Sequence, residues 1–301
     1  MGPAGQATTA RPADGGAAGC PMGAVGLDPG RDEAPATPAR DGALTYGSYL
    51  RIPELLSLQQ PLSDGPEHDE VLFIVIHQVY ELWFKQQLHE AGYLAAALRR
   101  NDQPTAASTL RRMLTILKTM VAQIDVLETM TPSSFTSFRS RLSNSSGFQS
   151  SQFREFEFLL GHKRAKAVTW QPEGSPERAT LERRLREPSL WDAALRFFAA
   201  NGLAVPRELL ERDSTLPTER SERLQEELIV AYRTQPSVRN ICELLVDLDE
   251  GIQEWRYRHV KMVERTIGMK MGTGGSAGVD YLRSTLFASL FPDLWEIRSR
   301  L

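Results

Sequence analysis

Two of the five histidines, His77 and His259, stand on otherwise apolar helical faces, where a polar ring has to be accounted for. His77 shares its face with Phe73, Tyr80 and Phe84, and His259 continues a stripe through Ile252 and Trp255. A lone histidine on such a face is ordinarily a satisfied core residue, so the pair hints at a site without proving one. No His-Glu-x-x-His, second Glu-x-x-His or 2-His-1-carboxylate set forms at local spacing, which argues against a zinc hydrolase or a di-iron bundle. A single buried, neutral imidazole on a long helix is instead what axial ligation of a haem iron needs, and the sequence permits that chemistry. Arg139, between Phe135, Phe138 and the stretch "SRLSNSSGFQS", either offers a bidentate fork for a carboxylate or is an ordinary surface arginine.

The third candidate is "GMKMGTGGSAGVDYL", residues 268–282, with five glycines and two small hydroxyl residues. Gly272-x-Gly274-x-x-Ala277 fits the dinucleotide expression, but that fingerprint needs a preceding strand, a following helix and an acid about 20 residues on. Here a long helical pattern precedes it, and no Gly-Lys-Ser/Thr follows at Walker spacing. Phosphate binding gives way to an interhelical linker.

The elements that must position these residues are helical. "HDEVLFIVIHQVYELWFKQQLHEAGYLAAALRR" opens with acids and closes with bases, as the helix dipole prefers, and predicts one helix of about 30 residues. After Pro104, Leu110, Met113, Leu114, Leu117, Val121, Ile124 and Leu127 recur at spacings of three and four, and "MTP" ends the pattern. Further helices are predicted over "SSQFREFEFLLG", "SLWDAALRFFAANG" and "SERLQEELIVAYR". The longest starts near Pro236, with Ile241, Leu245, Leu248, Ile252, Trp255, His259, Met262 and Ile267 near one face, wide enough for a bundle core. No run alternates apolar with polar, so strands should be few or absent.

The totals narrow the function. With 301 residues, 41% hydrophobic and 24% charged, the chain has ordinary globular usage and can bury a sizeable core. A formal net charge of -3 carries no footprint for nucleic acid or an anionic membrane surface. No run approaches the ~18 apolar residues of a membrane span, and the N-terminus lacks the apolar core of a signal peptide. Two cysteines, Cys20 and Cys242, support neither a disulfide framework nor a zinc site, which suits a reducing cytoplasm. Residues 1–42, dense in Gly, Ala and Pro, read as a disordered leader ahead of one helical domain over 43–301.

Four blocks, "LTYGSYL", "HDEVLFIVIHQVYELWFKQ", "FRSRLSNSSGFQSSQFRE" and "RYRHVKMVERTIGMKMGTGGSAGVDYLR", closely resemble the tryptophan 2,3-dioxygenase family over about Leu44 to Leu301. The resemblance implies an all-α bundle whose long core helices enclose a b-type haem, assembled as a homotetramer. It implies oxygen-dependent cleavage of the indole 2,3 bond of L-tryptophan to N-formylkynurenine, the first step of tryptophan catabolism in the kynurenine pathway. By position, His259 resembles the proximal iron ligand and His77 the distal histidine that accepts a hydrogen bond from the indole N–H. Phe73 is similar to the ring beside the indole, Arg139 to the carboxylate clamp, and Ser146 to a pocket-lining serine. Phe135 stands where some bacterial members carry a tyrosine that also touches the carboxylate. Thr273 matches the threonine at the substrate's ammonium and carboxylate, on a glycine-rich segment able to fold over the substrate as a lid. Tyr46 and Tyr49 match tyrosines that reach a neighbouring subunit's pocket. Met269 and Met271 flank Lys270 where charged or polar residues are common. The alternative the sequence keeps open is a monooxygenase of the same fold that turns a tryptophan derivative into an oxindole.

Overall fold

Small hydroxyl residues and prolines decide where the helices begin. Thr131, Ser150, Ser175, Ser189 and Ser221 each accept a hydrogen bond from a backbone N–H in the first turn of the helix that follows. Proline occupies the first or second position of six helices, where its missing N–H leaves no bond unmade. The structure, a computed structural model, describes residues 2, 44–65, 67–143, 145–268 and 279–301. Its helices are α1 (Tyr46–Leu50), α2 (Ile52–Leu56), α3 (His68–Arg99), α4 (Gln103–Leu127), α5 (Pro132–Arg139), α6 (Ser151–Leu160), α7 (Ala165–Val168), α8 (Pro176–Arg186), α9 (Leu190–Ala200), α10 (Arg207–Leu210), α11 (Glu222–Thr234), α12 (Pro236–Ile267), α13 (Val279–Ser284) and α14 (Pro292–Glu296).

Among the described residues there is no strand, as the missing alternation predicts. "MTP" ends α4 as the spacing predicts, and the same Thr-Pro opens a helix not expected from the sequence, α5: Thr131 caps it, Pro132 fills the first turn, and Arg139 is its last residue. A Thr-Pro pair that ends one helix is equally suited to open the next.

The chain divides into two units, residues 1–52 and 53–301. In the first, α1 carries a capping box in which Thr45 and Ser48 satisfy each other's backbone N–H groups, and Arg51 closes it in the left-handed conformation. The proposed leader, apart from Gly2, lies outside the described residues.

In the second unit α3, α4 and α12 form the frame, with α12 and α3 each packed along α4. The predicted stripe of α12 is buried from Ile241 through Leu245, Leu248, Ile252 and Trp255 to Met262, each such side chain stabilising the fold by roughly 1.5–3 kcal/mol. A Cβ built on Gly251 would lie 3.3 Å from Leu117 Cδ1, so the helices approach closely there. Two cross-helix bonds fix the register of α3 on α4: the Tyr80 hydroxyl donates to the Met120 carbonyl at 2.7 Å and Gln87 Nε2 to the Met113 carbonyl at 2.9 Å. The C-terminus is tied to α12 by the fully buried Asp249, which accepts from Leu290 N, Phe291 N and Trp295 Nε1 at 2.8, 3.1 and 2.9 Å. No helix among the described residues is long and apolar enough to cross a membrane.

Candidate functional site

The frame encloses a cavity of about 240 Å³ between α3, α5, α6 and α12, with the end of α4 and the segment around Thr285 completing its wall. The spacing of α3 sends Phe73, His77, Tyr80 and Phe84 into it, and α12 contributes Trp255, Arg256, His259 and Met262. The two histidines picked out from sequence therefore face one space. Phe135 and Arg139 of α5 and Ser146 of the following turn line it too. The turn is fixed locally: Ser146 caps a short 3₁₀ segment, its hydroxyl accepting from Phe148 N at 3.3 Å.

His77 Nδ1 lies 2.7 Å from the carbonyl of Phe73, one turn back. A carbonyl can only accept, so the proton sits on Nδ1 and Nε2 is left as an acceptor. Burial pushes the His77 pKa below its ordinary value, outweighing the Phe73 carbonyl and Glu81, which act the other way. Phe73 packs on His77 with ring centroids 4.1 Å apart and meets Phe135 and Phe138 at 5.8 and 5.6 Å, so the cavity has an aromatic wall at this end.

His259 is pushed down to about 4, chiefly by burial, with His77 and Arg154 adding to the effect. It is thus a neutral imidazole at physiological pH, the form that binds a metal. Trp255, one turn earlier, stacks on it at 5.4 Å and 10°, which fixes the plane of the ring. Three of the charges on the wall come from residues the sequence reading passed over. Glu157 of α6, 2% exposed, takes Arg154, Arg164 and Arg256 on its two oxygens, Arg256 at 2.9 Å. Burial pushes the Glu157 carboxyl up, but the three guanidinium groups prevail and hold it at about 2. Arg154 Nε and Trp255 Nε1 are buried without a well-formed hydrogen bond, although the Tyr80 oxygen is close enough to Trp255 to feel its N–H.

The remaining expected site residues are not among the described lining residues. Tyr46 and Tyr49 lie on α1 of the first unit and are 78% and 64% exposed. Thr273, with Met269, Lys270 and Met271 and the rest of the glycine-rich stretch through Gly278, lies outside the described residues, as does Cys20. No cluster of three or more His, Cys, Asp or Glu able to hold a metal ion occurs among the described residues, so a multi-ligand metal centre has no support there.

The class these features define is a helical protein with one deep aromatic cavity, two neutral imidazoles facing it and guanidinium groups on its wall. Comparison with known sequences narrows that class. The family model described as tryptophan 2,3-dioxygenase matches residues 31–239 and 220–301. A tryptophan 2,3-dioxygenase of Herpetosiphon aurantiacus is 60% identical over 259 residues, covering 86% of this chain and 99% of its own length. That of Anaeromyxobacter sp. (strain K) is 55% identical over 263 residues, 87% of this chain and 98% of the relative, and that of Bordetella pertussis 44% identical over 266 residues, 87% and 92%. The chain belongs to the tryptophan 2,3-dioxygenase family.

Proposed function

We propose that this protein is an oxidoreductase that cleaves the indole 2,3 bond of L-tryptophan with O2, giving N-formyl-L-kynurenine, the first step of tryptophan catabolism. The observation that carries this reading is the convergence of His77, His259, Phe73, Phe135, Arg139 and Ser146 on one cavity of a chain in this family. The names of its relatives favour it over the oxindole-forming alternative.

The residues on the cavity wall suit a b-type haem. His259 supplies a neutral imidazole on the cavity wall, and a neutral imidazole has the free lone pair that an iron ligand requires. Arg154, with its buried Nε unpartnered, and Trp255 would hold the acidic edge of the macrocycle, since three arginines meeting one carboxylate leave positive charge in excess. When bound in the ferrous form, the haem supplies the activation of O2 that amino-acid side chains cannot. The chain's own residues bind and orient. Phe73 and Phe135 hold the indole, Arg139 takes the α-carboxylate, and His77 Nε2 accepts the indole N–H. Ser146 lines the polar side. Orientation of this kind lowers the barrier by converting encounter into a positioned reaction.

The same reading assigns Thr273 to the polar end of the substrate, on a segment that closes over it, and Tyr46 and Tyr49 to the pocket of a neighbouring subunit in a homotetramer. The expected compartment is the cytoplasm, where the buried free thiol of Cys242 stays reduced. The test is mass analysis of the product formed from L-tryptophan by the ferrous protein under ¹⁸O2. Two labelled oxygens in a ring-opened product are expected. One labelled oxygen selects the monooxygenase, and absence of turnover overturns the reading.

A further inference from the structure

Arg256 joins two parts of the cavity wall that are far apart in sequence. It is 4% exposed, and its two terminal nitrogens have different work. Nη2 donates to Glu157 Oε1 at 2.9 Å, whereas Nη1 donates to the carbonyls of Thr285 and Ala288, each at 3.3 Å. Arg154, Glu157, Arg256 and Thr285 all line the cavity. Glu157 is consequently shared: Arg154 and Arg164 hold Oε2, while Arg256 holds Oε1 and, through its other nitrogen, the backbone of the C-terminal segment.

Two buried guanidinium groups, Arg154 and Arg256, and the partly exposed Arg164 meet one carboxylate and leave positive charge in excess, which low dielectric makes unfavourable until an anion approaches. An acidic ligand that draws on Arg154 relieves Glu157 of part of its load and leaves more of the carboxylate to Arg256. That strengthens the geometry in which Arg256 also grips Thr285 and Ala288. We propose that Arg256 and Glu157 are positioning residues that couple occupancy of the cavity by an acidic cofactor to the order of residues 285–288. The coupling is reciprocal: a segment held by Arg256 favours the arrangement that receives the ligand. The proposal rests on the reading above, in which the acidic ligand is a haem.

Hydrogen–deuterium exchange of the full chain, haem-free and loaded with hemin, tests it. In the wild type, loading is expected to slow exchange in peptides covering 285–289 by about tenfold, the effect of adding roughly one good hydrogen bond to a charged donor. Arg256→Lys keeps the charge but a single ammonium cannot span both partners. It is expected to exchange about tenfold faster there when haem-free and to lose the haem-dependent slowing, with its Soret band retained. Glu157→Gln is the second variant: it leaves the Nη1 bonds to the carbonyls possible but is also expected to lose the haem-dependent difference, which a purely structural role would not move. Equal exchange with and without hemin in the wild type, or undiminished slowing in both variants, overturns the proposal. Failure of the wild type to develop a Soret band overturns the functional reading instead, and it is seen before any exchange measurement; Arg256→Lys still tests the link to residues 285–288 in that case.

Discussion

His77 allows a test that separates hydrogen bonding from packing. Its Nδ1–H is taken by the Phe73 carbonyl at 2.7 Å, so the face presented to a ligand is an acceptor and nothing else. Burial keeps the ring neutral near pH 7. A bond from the indole N–H to Nε2 is then neutral on both sides, with a net worth of about 0.5–1.5 kcal/mol. Replacing the substrate's N–H by sulfur, as in the benzothiophene analogue of L-tryptophan, keeps the shape but strands the buried acceptor, which costs about 1–3 kcal/mol. The wild type should accordingly bind L-tryptophan about 5- to 150-fold more tightly than the analogue. In His77→Phe the acceptor is gone and bound tryptophan keeps an N–H with no partner, so the preference should fall to one or below while the Soret band remains. Titrating both ligands against both proteins closes the cycle. Acid sharpens it: protonation puts a donor on Nε2, so the preference is present above the folded pKa of His77, which lies below the ordinary value of 6.5, and is lost as pH falls through it. An undiminished preference for L-tryptophan in His77→Phe would show that something other than this nitrogen reads the indole N–H.

Three further outcomes are expected. His259→Ala should lose most of its haem, measured as the ratio of Soret to protein absorbance after loading, and a normal spectrum would remove the ligand assignment. Arg139→Leu should raise KM by about 10- to 150-fold, with a smaller change in kcat, because a charge-assisted clamp acts on bound substrate and transition state alike; an unchanged KM would return Arg139 to the surface. Acid should unfold the protein in two stages. His162 is pushed down to about 4, mainly by burial, so as pH falls from 6.5 to 4 the unfolded chain takes up a proton that the folded chain refuses, at a cost on the order of 3 kcal/mol. Glu157, held at about 2, contributes stability that is fully present above its ordinary value of 4.5 and lost as pH falls toward 2. Denaturant unfolding at pH 7, 5 and 4 measures the first stage, and equal stability at pH 7 and 4 would refute it.

Periodicity made the frame legible. The stripes of α4 and α12 are buried as the spacing predicts, and the long helix expected over the stretch that opens "HDEV" runs from His68 to Arg99. What spacing could not register were the helices without a wide apolar face. Only Leu181 is buried on α8, and α10 and α14 are four and five residues long, so their positions are decided by neighbours and by caps. The unforeseen α5 has the same root. A capping sequence marks a boundary but not on which side of it the next helix lies.

The site divides along a similar line. Phe73, His77 and His259 were visible because each interrupts or extends an apolar stripe, and a residue out of keeping with its face draws attention to itself. Arg154, Glu157 and Arg256 were not, because in the sequence they are ordinary charged residues on amphipathic helices, where solvent exposure is the normal expectation. Burial of all three follows only from the docking of α6 and α12 beside one cavity, a tertiary fact with no local signature. Yet once buried they are bound together by charge: the two arginines share one carboxylate, and its removal would leave both uncompensated in the wall. The order of the segment at Thr285 and the ligand-binding face of Arg154 thus depend on one carboxylate, and it is through that carboxylate that a change at one end of the cavity reaches the other.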